Sequence, residues 1–183
     1  MASTRTIRRP RTRAEAPHVR EMATQHMAVV RTVGDPTVVA HSAIQALYGA
    51  VYALKFARKQ AGRDFTVGPL RARWPDASTE PPGEWHGVWA LPIPDDVDAV
   101  ASRDPGIPIA VEDWEYGTVA EILHLGSYAD EPASIDRLHA FIAAQGYAIA
   151  GPHEEEYLSM PGATVQRTLL RYRVRPAAAV AAA

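Results

Sequence analysis

The run His153-Glu154-Glu155-Glu156-Tyr157-Leu158 places three consecutive carboxylates between a histidine and a tyrosine. In a strand, period two puts His153, Glu155 and Tyr157 on one face and Glu154, Glu156 and Leu158 on the other, so the run holds two sets of carboxylates with different surroundings. A carboxylate beside a phenol can hold a ligand cation. It can also act as a general base with the hydroxyl as hydrogen-bond donor, provided burial limits screening by water. The alternative is an exposed acidic edge strand whose charges oppose aggregation. Glu121 is a further candidate, because it falls between Val119 and Leu123 on an otherwise apolar strand face. It is either paired with an arginine such as Arg167 or Arg171, or forms the charged floor of an apolar cavity. His124 falls on the opposite face of that strand.

Aromatic residues supply the second group. Tyr48, Tyr52 and Phe56 recur at i, i+4 and i+8, the spacing of one helical face, and Trp74 ends the strand that follows. Trp85, Trp89, Leu91 and Ile93 alternate on one strand face, as do Trp114 and Tyr116. Such residues fill ordinary cores. Several tryptophans at the mouth of a sheet would equally build flat walls for a planar or cationic organic ligand.

The elements that must position these groups follow from local signals. Met27 to Val33 reads as a strand, and Gly34, Asp35 and Pro36 supply a turn, a helix N-cap and a first helical residue. Ile44, Leu47, Tyr48, Val51 and Leu54 mark one helical face, and Gly62 ends it. Strands are predicted over 65–74 and 84–93. The order then returns. Strands 109–116 and 118–125 lead to a turn at Gly126 and a helix opened by Asp130, Glu131 and Pro132. That helix is lined by Ile135, Leu138 and Ile142 and ended by Gly146, and strands over 148–159 and 165–174 follow. A duplicated strand–helix–strand–strand unit, with repeats at about 27–94 and 109–175, accounts for this order. The predicted fold class is α+β, with a largely antiparallel sheet in one pseudo-symmetric domain over 26–175. Residues 1–25, with Arg5, Arg8, Arg9, Arg11, Arg13 and Arg20, read as a flexible basic arm, and 176–183 as a disordered Ala-rich tail.

Composition narrows the function. Nineteen Lys and Arg against 21 Asp and Glu give a formal charge of −2, so direct nucleic-acid binding is not expected. The chain has no cysteine, which removes disulfides, thiolate nucleophiles and Cys-based metal sites and leaves cytoplasmic location as the default. No run approaches ~20 uninterrupted apolar residues, so no membrane association is expected. His139 and His153 lack metal-ligand spacing, and there is no Walker lysine loop, Rossmann glycine fingerprint or G-x-S-x-G elbow. Oligomeric state is left open.

Three groups of segments resemble a known family. In the first half they are Gly34-Asp35-Pro36, the stretch from Ala46-Leu47-Tyr48 to Leu54-Lys55-Phe56, Pro69-Leu70 leading to Trp74, and Glu84 to Pro94. The second half contributes Ile122-Leu123-His124-Leu125-Gly126-Ser127-Tyr128 and Leu138-His139-Ala140-Phe141-Ile142 to Gly146-Tyr147. The third is Gly151-Pro152 followed by the acidic run to Ser159. Together they resemble the GyrI-like small-molecule-binding domains, which duplicate a β-α-β-β (SHS2-type) unit around a central ligand cleft. The resemblance implies that Glu155, in the pattern Glu-x-Tyr-Leu, is the central pocket carboxylate. No helix-turn-helix precedes the domain, so a stand-alone protein is implied. The first-helix motif and the tryptophan-rich strand are similar to the cyclopropanoid cyclopropyl hydrolases, which open the cyclopropane of DNA-alkylating antibiotics inside an aromatic cage. On that likeness Glu155, Glu121 and Tyr157 are the expected catalytic residues, and Tyr48, Tyr52, Trp74, Trp85, Trp89 and Trp114 the ligand-binding ones. No metal or organic cofactor is expected. A non-catalytic module that sequesters or senses aromatic drugs is the alternative.

Overall fold

The computed structural model describes residues 16–76, 79–160 and 162–178. Among these residues, nine strands and two α-helices follow in the order β1 (His18–Met22), β2 (Gln25–Val33), α1 (Pro36–Gln60), β3 (Arg71–Trp74), β4 (His86–Pro92), β5 (Ala110–Trp114), β6 (Gly117–Leu125), α2 (Glu131–Ala144), β7 (Tyr147–Ile149), β8 (His153–Tyr157) and β9 (Arg167–Pro176). All strand pairs are antiparallel, and the sheet order is β1-β6-β9-β8-β3-β4-β2-β5, with β7 on the end of β9. The α+β class is as expected, and the sheet curls into a half-barrel with a central cleft.

Exchanging β1 with β5, β2 with β6, β3 with β8 and β4 with β9 reverses the sheet order without changing it. The molecule therefore has a pseudo-twofold axis between β3 and β8, where Ala72 stands opposite Glu155. The duplicated unit is one strand longer than expected, because each half begins with a leading strand. Each leader pairs with the other half: β1 lies on β6, with His18 opposite Glu121, and β5 lies on β2, with Trp114 opposite Gln25.

This corrects the boundary at residue 25. His18–Met22 is a sheet strand rather than part of a flexible arm, with Met22 in the core. Residues 1–15 of that expected arm, and 179–183 of the expected tail, lie outside the described residues. Other strands are shorter than predicted, two of them for a local reason. Pro69 has no N–H for a ladder and Gly68 packs so closely on Pro92 that a Cβ would lie 2.8 Å from it, so pairing begins only at Arg71. Gly151-Pro152 likewise divides the predicted 148–159 strand into β7 and β8.

The helices begin where local chemistry places them. The Asp35 carboxylate accepts from Thr37 N at 2.8 Å with Pro36 at the first position, and Gly62, Gly126 and Gly146 adopt positive φ at the turns around the helices. Ala40, Ala43, Leu47, Ala50 and Val51 bury one side of α1 on β2 and β4, while Leu138 and Ile142 bury α2 on β6 and β9. By length and composition α1 would also suit a bilayer span, but its buried side is part of this core. The two helices thus cover the two wings of one sheet face. The central strands β3 and β8 run between them.

Candidate functional site

Strand periodicity and register decide which side chains reach the cleft. On the helix-bearing face, Ala72 and Trp74 of β3, Trp89 and Leu91 of β4, and His153, Glu155 and Tyr157 of β8 lie side by side. The expected split of the acidic run is therefore observed. Glu155 is enclosed by its own strand neighbours: Tyr157 donates its hydroxyl to Glu155 Oε2 at 2.6 Å, and His153 Nε2 stands 3.2 Å from Oε1. Burial, followed by the charge of Glu155, drives the Tyr157 hydroxyl well above the usual phenol range, so it stays a donor at neutral pH.

Aromatic rings wall this carboxylate. Trp89 stacks on Tyr157 with centroids 6.4 Å apart, Trp74 meets Trp89 edge-on at 5.1 Å, and Trp85 lies 5.7 Å from Trp74. Tyr128, in the turn before α2, meets Tyr157 edge-on at 6.0 Å. Its sequence signal was only its place in the Gly126-Ser127-Tyr128 turn. From α1, Tyr48 packs against the same cluster and carries Tyr52 stacked at 6.2 Å, but Tyr52 and Phe56 are 43% and 59% exposed. Trp74 Nε1 and His153 Nδ1 are buried without a hydrogen-bond partner among the described residues, and they belong to residues directly opposite in the β3–β8 register.

Trp114 and Glu121 are not brought to this cleft. Both face the other side of the sheet, where Trp114 and Tyr116 pack with Met22, Met27 and Val119, and Arg73 stacks over the Trp114 ring at 3.7 Å. Period two correctly joined Trp114 to Tyr116, but not to the other tryptophans, because pairing of β5 with β2 sets that face. Glu121 takes the paired alternative. It accepts from Arg20 Nε at 2.6 Å and Arg171 Nε at 3.0 Å. Burial pushes the Glu121 carboxyl up, and the two arginines outweigh it to hold the group below the usual carboxylate range.

Arg171 organises that second face. Only 1% exposed, it also donates to Glu154 Oε1 at 2.6 Å and Glu156 Oε2 at 3.0 Å. Glu154 accepts further from Arg73 at 2.8 Å and from Tyr116 at 2.9 Å, and Arg71 ion-pairs with Glu156 at 3.3 Å. Burial first, then Glu154, pushes the Tyr116 hydroxyl up to about 12. A small cavity of about 120 Å³ opens here, lined by Arg73, Tyr116, Glu154, Arg171 and Arg173 among others. Arg73, Glu154 and Arg171 in its wall are engaged with one another, so it adjoins the ionic layer that ties β8, β9 and β6 together, while Arg173 donates to Ala150 O.

Sequence reasoning missed one carboxyl on the cleft side. Glu131 looks like an ordinary first-turn acid, yet it is only 6% exposed and its Oε1 has no partner. Thr168 of β9 lies against its carboxyl. Burial, and then the charge of Glu155, raises the Glu131 carboxyl to about 8.

An antiparallel half-barrel with an aromatic, carboxylate-floored cleft between two helices defines a small-molecule-binding domain. The model of the GyrI-like small molecule binding domain matches residues 15–173, and the chain belongs to that family. No curated protein sequence matches it significantly. Among solved structures, it is similar to an uncharacterized conserved protein from Listeria innocua, at 21% identity and TM-score 0.77, over 88% of this chain and 93% of that one. A hydrolase from Listeria innocua is similar at 21% identity and TM-score 0.73, over 88% and 92% of the two chains. The C-terminal domain of EcmrR follows at 10% identity and TM-score 0.60, over 87% and 97%.

Proposed function

We propose that the protein binds planar aromatic xenobiotics or antibiotics in this cleft and hydrolyses the cyclopropane of cyclopropanoid DNA-alkylating agents, a self-resistance or detoxification activity. The observation that carries the reading is Glu155, set among Trp74, Trp89 and Tyr157 with the Tyr157 hydroxyl 2.6 Å away. The rings would hold a planar substrate by stacking. Glu155 would take a proton from water as the water oxygen forms a bond to the cyclopropyl carbon. The breaking C–C bond sends its electron pair through the dienone to the ketone oxygen, which takes up a proton and becomes a phenol. Tyr157 keeps Glu155 oriented.

Relatives of the same fold support both this reading and a second one. The Listeria innocua neighbour is described as a hydrolase, whereas the EcmrR domain belongs to a protein studied in complex with DNA. Sequestration or effector sensing without chemistry is therefore the competing function. Turnover separates the two. The protein is incubated at a small fraction of the concentration of a cyclopropyl-dienone alkylator, and the ring-opened hydrate is followed by mass spectrometry, with Glu155→Gln in parallel. Complete conversion that Glu155→Gln abolishes while retaining ligand supports the hydrolase. Protection that stops at one equivalent of protein establishes sequestration instead.

A further inference from the structure

The proposed reaction leaves one buried group of the cleft without a task. Glu131 opens α2, and its residue-level burial is greater than nine-tenths. Thr168 of β9 lies against the Glu131 carboxyl, and Oε1 is buried with no hydrogen-bond partner among the described residues. Thr168 stands opposite Tyr157 in the β8–β9 register, which puts Glu131 over the end of the cleft floor that carries Tyr157. The titratable groups around it come from three elements: Glu155 and Tyr157 from β8, Tyr128 from the preceding turn, and His124 from β6, whose ring bonds Ser134 one turn along α2. Two carboxylates in one low-dielectric cleft repel each other, so one of them holds its proton. Glu155 has a phenol donating to it and therefore accepts. Glu131 has a free oxygen and therefore donates.

We infer that Glu131 is a second ligand-facing carboxyl group, a neutral carboxylic acid that donates a hydrogen bond to a carbonyl oxygen of the bound molecule and, in ring opening, gives that oxygen its proton. The inference rests on the reading of the cleft as a site for planar aromatic compounds, and it adds a specificity: the favoured ligand carries a ketone or quinone-type oxygen at its edge. In the hydrolysis, Glu155 gains the proton of the attacking water and Glu131 loses its own to the dienone oxygen. The two carboxyls exchange roles, and one proton returned from Glu155 to Glu131 resets the site.

A matched pair of probes tests this directly. Fluorenone and fluorene are planar and similar in size, and differ by the carbonyl. In equilibrium dialysis with the full chain at about pH 6, fluorenone should bind about tenfold more tightly, the worth of one well-made buried hydrogen bond. The preference should shrink toward unity by about pH 9.5 as Glu131 ionises. Glu131→Leu should abolish it at both pH values. Glu131→Gln, whose amide still donates, should keep it without the pH dependence, and near-UV circular dichroism checks that both variants fold. On a cyclopropyl dienone that the wild type opens, kcat should fall above about pH 8, and Glu131→Gln should lack that fall. Equal binding of the two probes at low pH, or a preference that survives Glu131→Leu, overturns the role of Glu131 while leaving the aromatic cleft intact. Failure of both probes to bind removes the cleft reading and the inference with it.

Discussion

Glu154 and Glu155 are neighbours in β8 and serve opposite sides of the sheet. Glu154 accepts from Arg171 at 2.6 Å in the buried ionic layer, and Glu155 accepts from Tyr157 at 2.6 Å in the aromatic cleft. The strand that floors the cleft is therefore clamped from behind by ion pairs. Structure and site meet in two consecutive residues.

Arg171 is the residue on which that clamp depends. Arg171→Met should destabilise the protein by about 3–5 kcal/mol, because Glu121, Glu154 and Glu156 each lose a buried cationic partner. Urea denaturation at pH 7 reads the loss. A change below about 1 kcal/mol would show that Arg20, Arg71 and Arg73 carry the layer without it.

Glu131 gives a pH dependence of stability with a definite sign. Its folded value of about 8 lies above the ordinary value of 4.5, so the folded state binds the extra proton between the two. The stabilisation this gives is complete below about pH 4.5 and is lost as pH rises through 8. Glu131→Gln removes the dependence, so its stability relative to wild type should rise by about 2–4 kcal/mol between pH 5 and pH 9. Parallel urea titrations at those pH values, with an unchanged difference, would contradict the assignment.

The two sheet faces make different predictions for two tryptophans. Trp89→Ala should weaken binding of a planar aromatic ligand by about tenfold or more, since it removes the ring stacked on Tyr157. Trp114→Phe should leave ligand affinity within about twofold, since Trp114 packs with Arg73 behind the sheet. Equilibrium dialysis of both variants checks the pair, and the reverse order of effects would place the ligand on the other face.

Tyr157→Phe isolates the hydroxyl. It keeps the ring and deletes the donor to Glu155, so ligand affinity should hold within about threefold while turnover of a cyclopropyl dienone falls about tenfold to a hundredfold. Equal losses in affinity and kcat would mean that the hydroxyl supports packing alone.

At the start of α1, Asp35→Ala deletes the carboxylate that receives Thr37 N, and should cost about 1 kcal/mol in thermal or urea unfolding without touching the cleft. The same contact shows what was legible in the sequence. Asp35-Pro36, Gly62 and Gly146 act through local backbone chemistry, so both helices were found, and the alternation in 153–157 sorted Glu155 from Glu154 because it depends only on the pleat. β1 was missed because His18, Arg20 and Glu21 give it no apolar rhythm; its place depends on β6, far along the chain. The same holds for Trp114, whose face is set by β2, and for Glu131, which looks like an acid favoured by the helix dipole until Thr168 and Tyr157 close around it. Residues governed by neighbours in sequence could be read, and those governed by distant strands could not.

The exchange of leading strands has a consequence for synthesis. A growing chain emits His18–Met22 about a hundred residues before its partner β6 exists, so the first half leaves the ribosome with β2 lacking β5 along one edge and β1 with nothing to pair. Only when residues 110–125 appear do both vacancies close, in one stretch of chain. The two halves are joined only when β8 and β9 follow and pair between β3 and β6, so a truncation before β9 leaves sheet edges exposed to aggregation or to a chaperone.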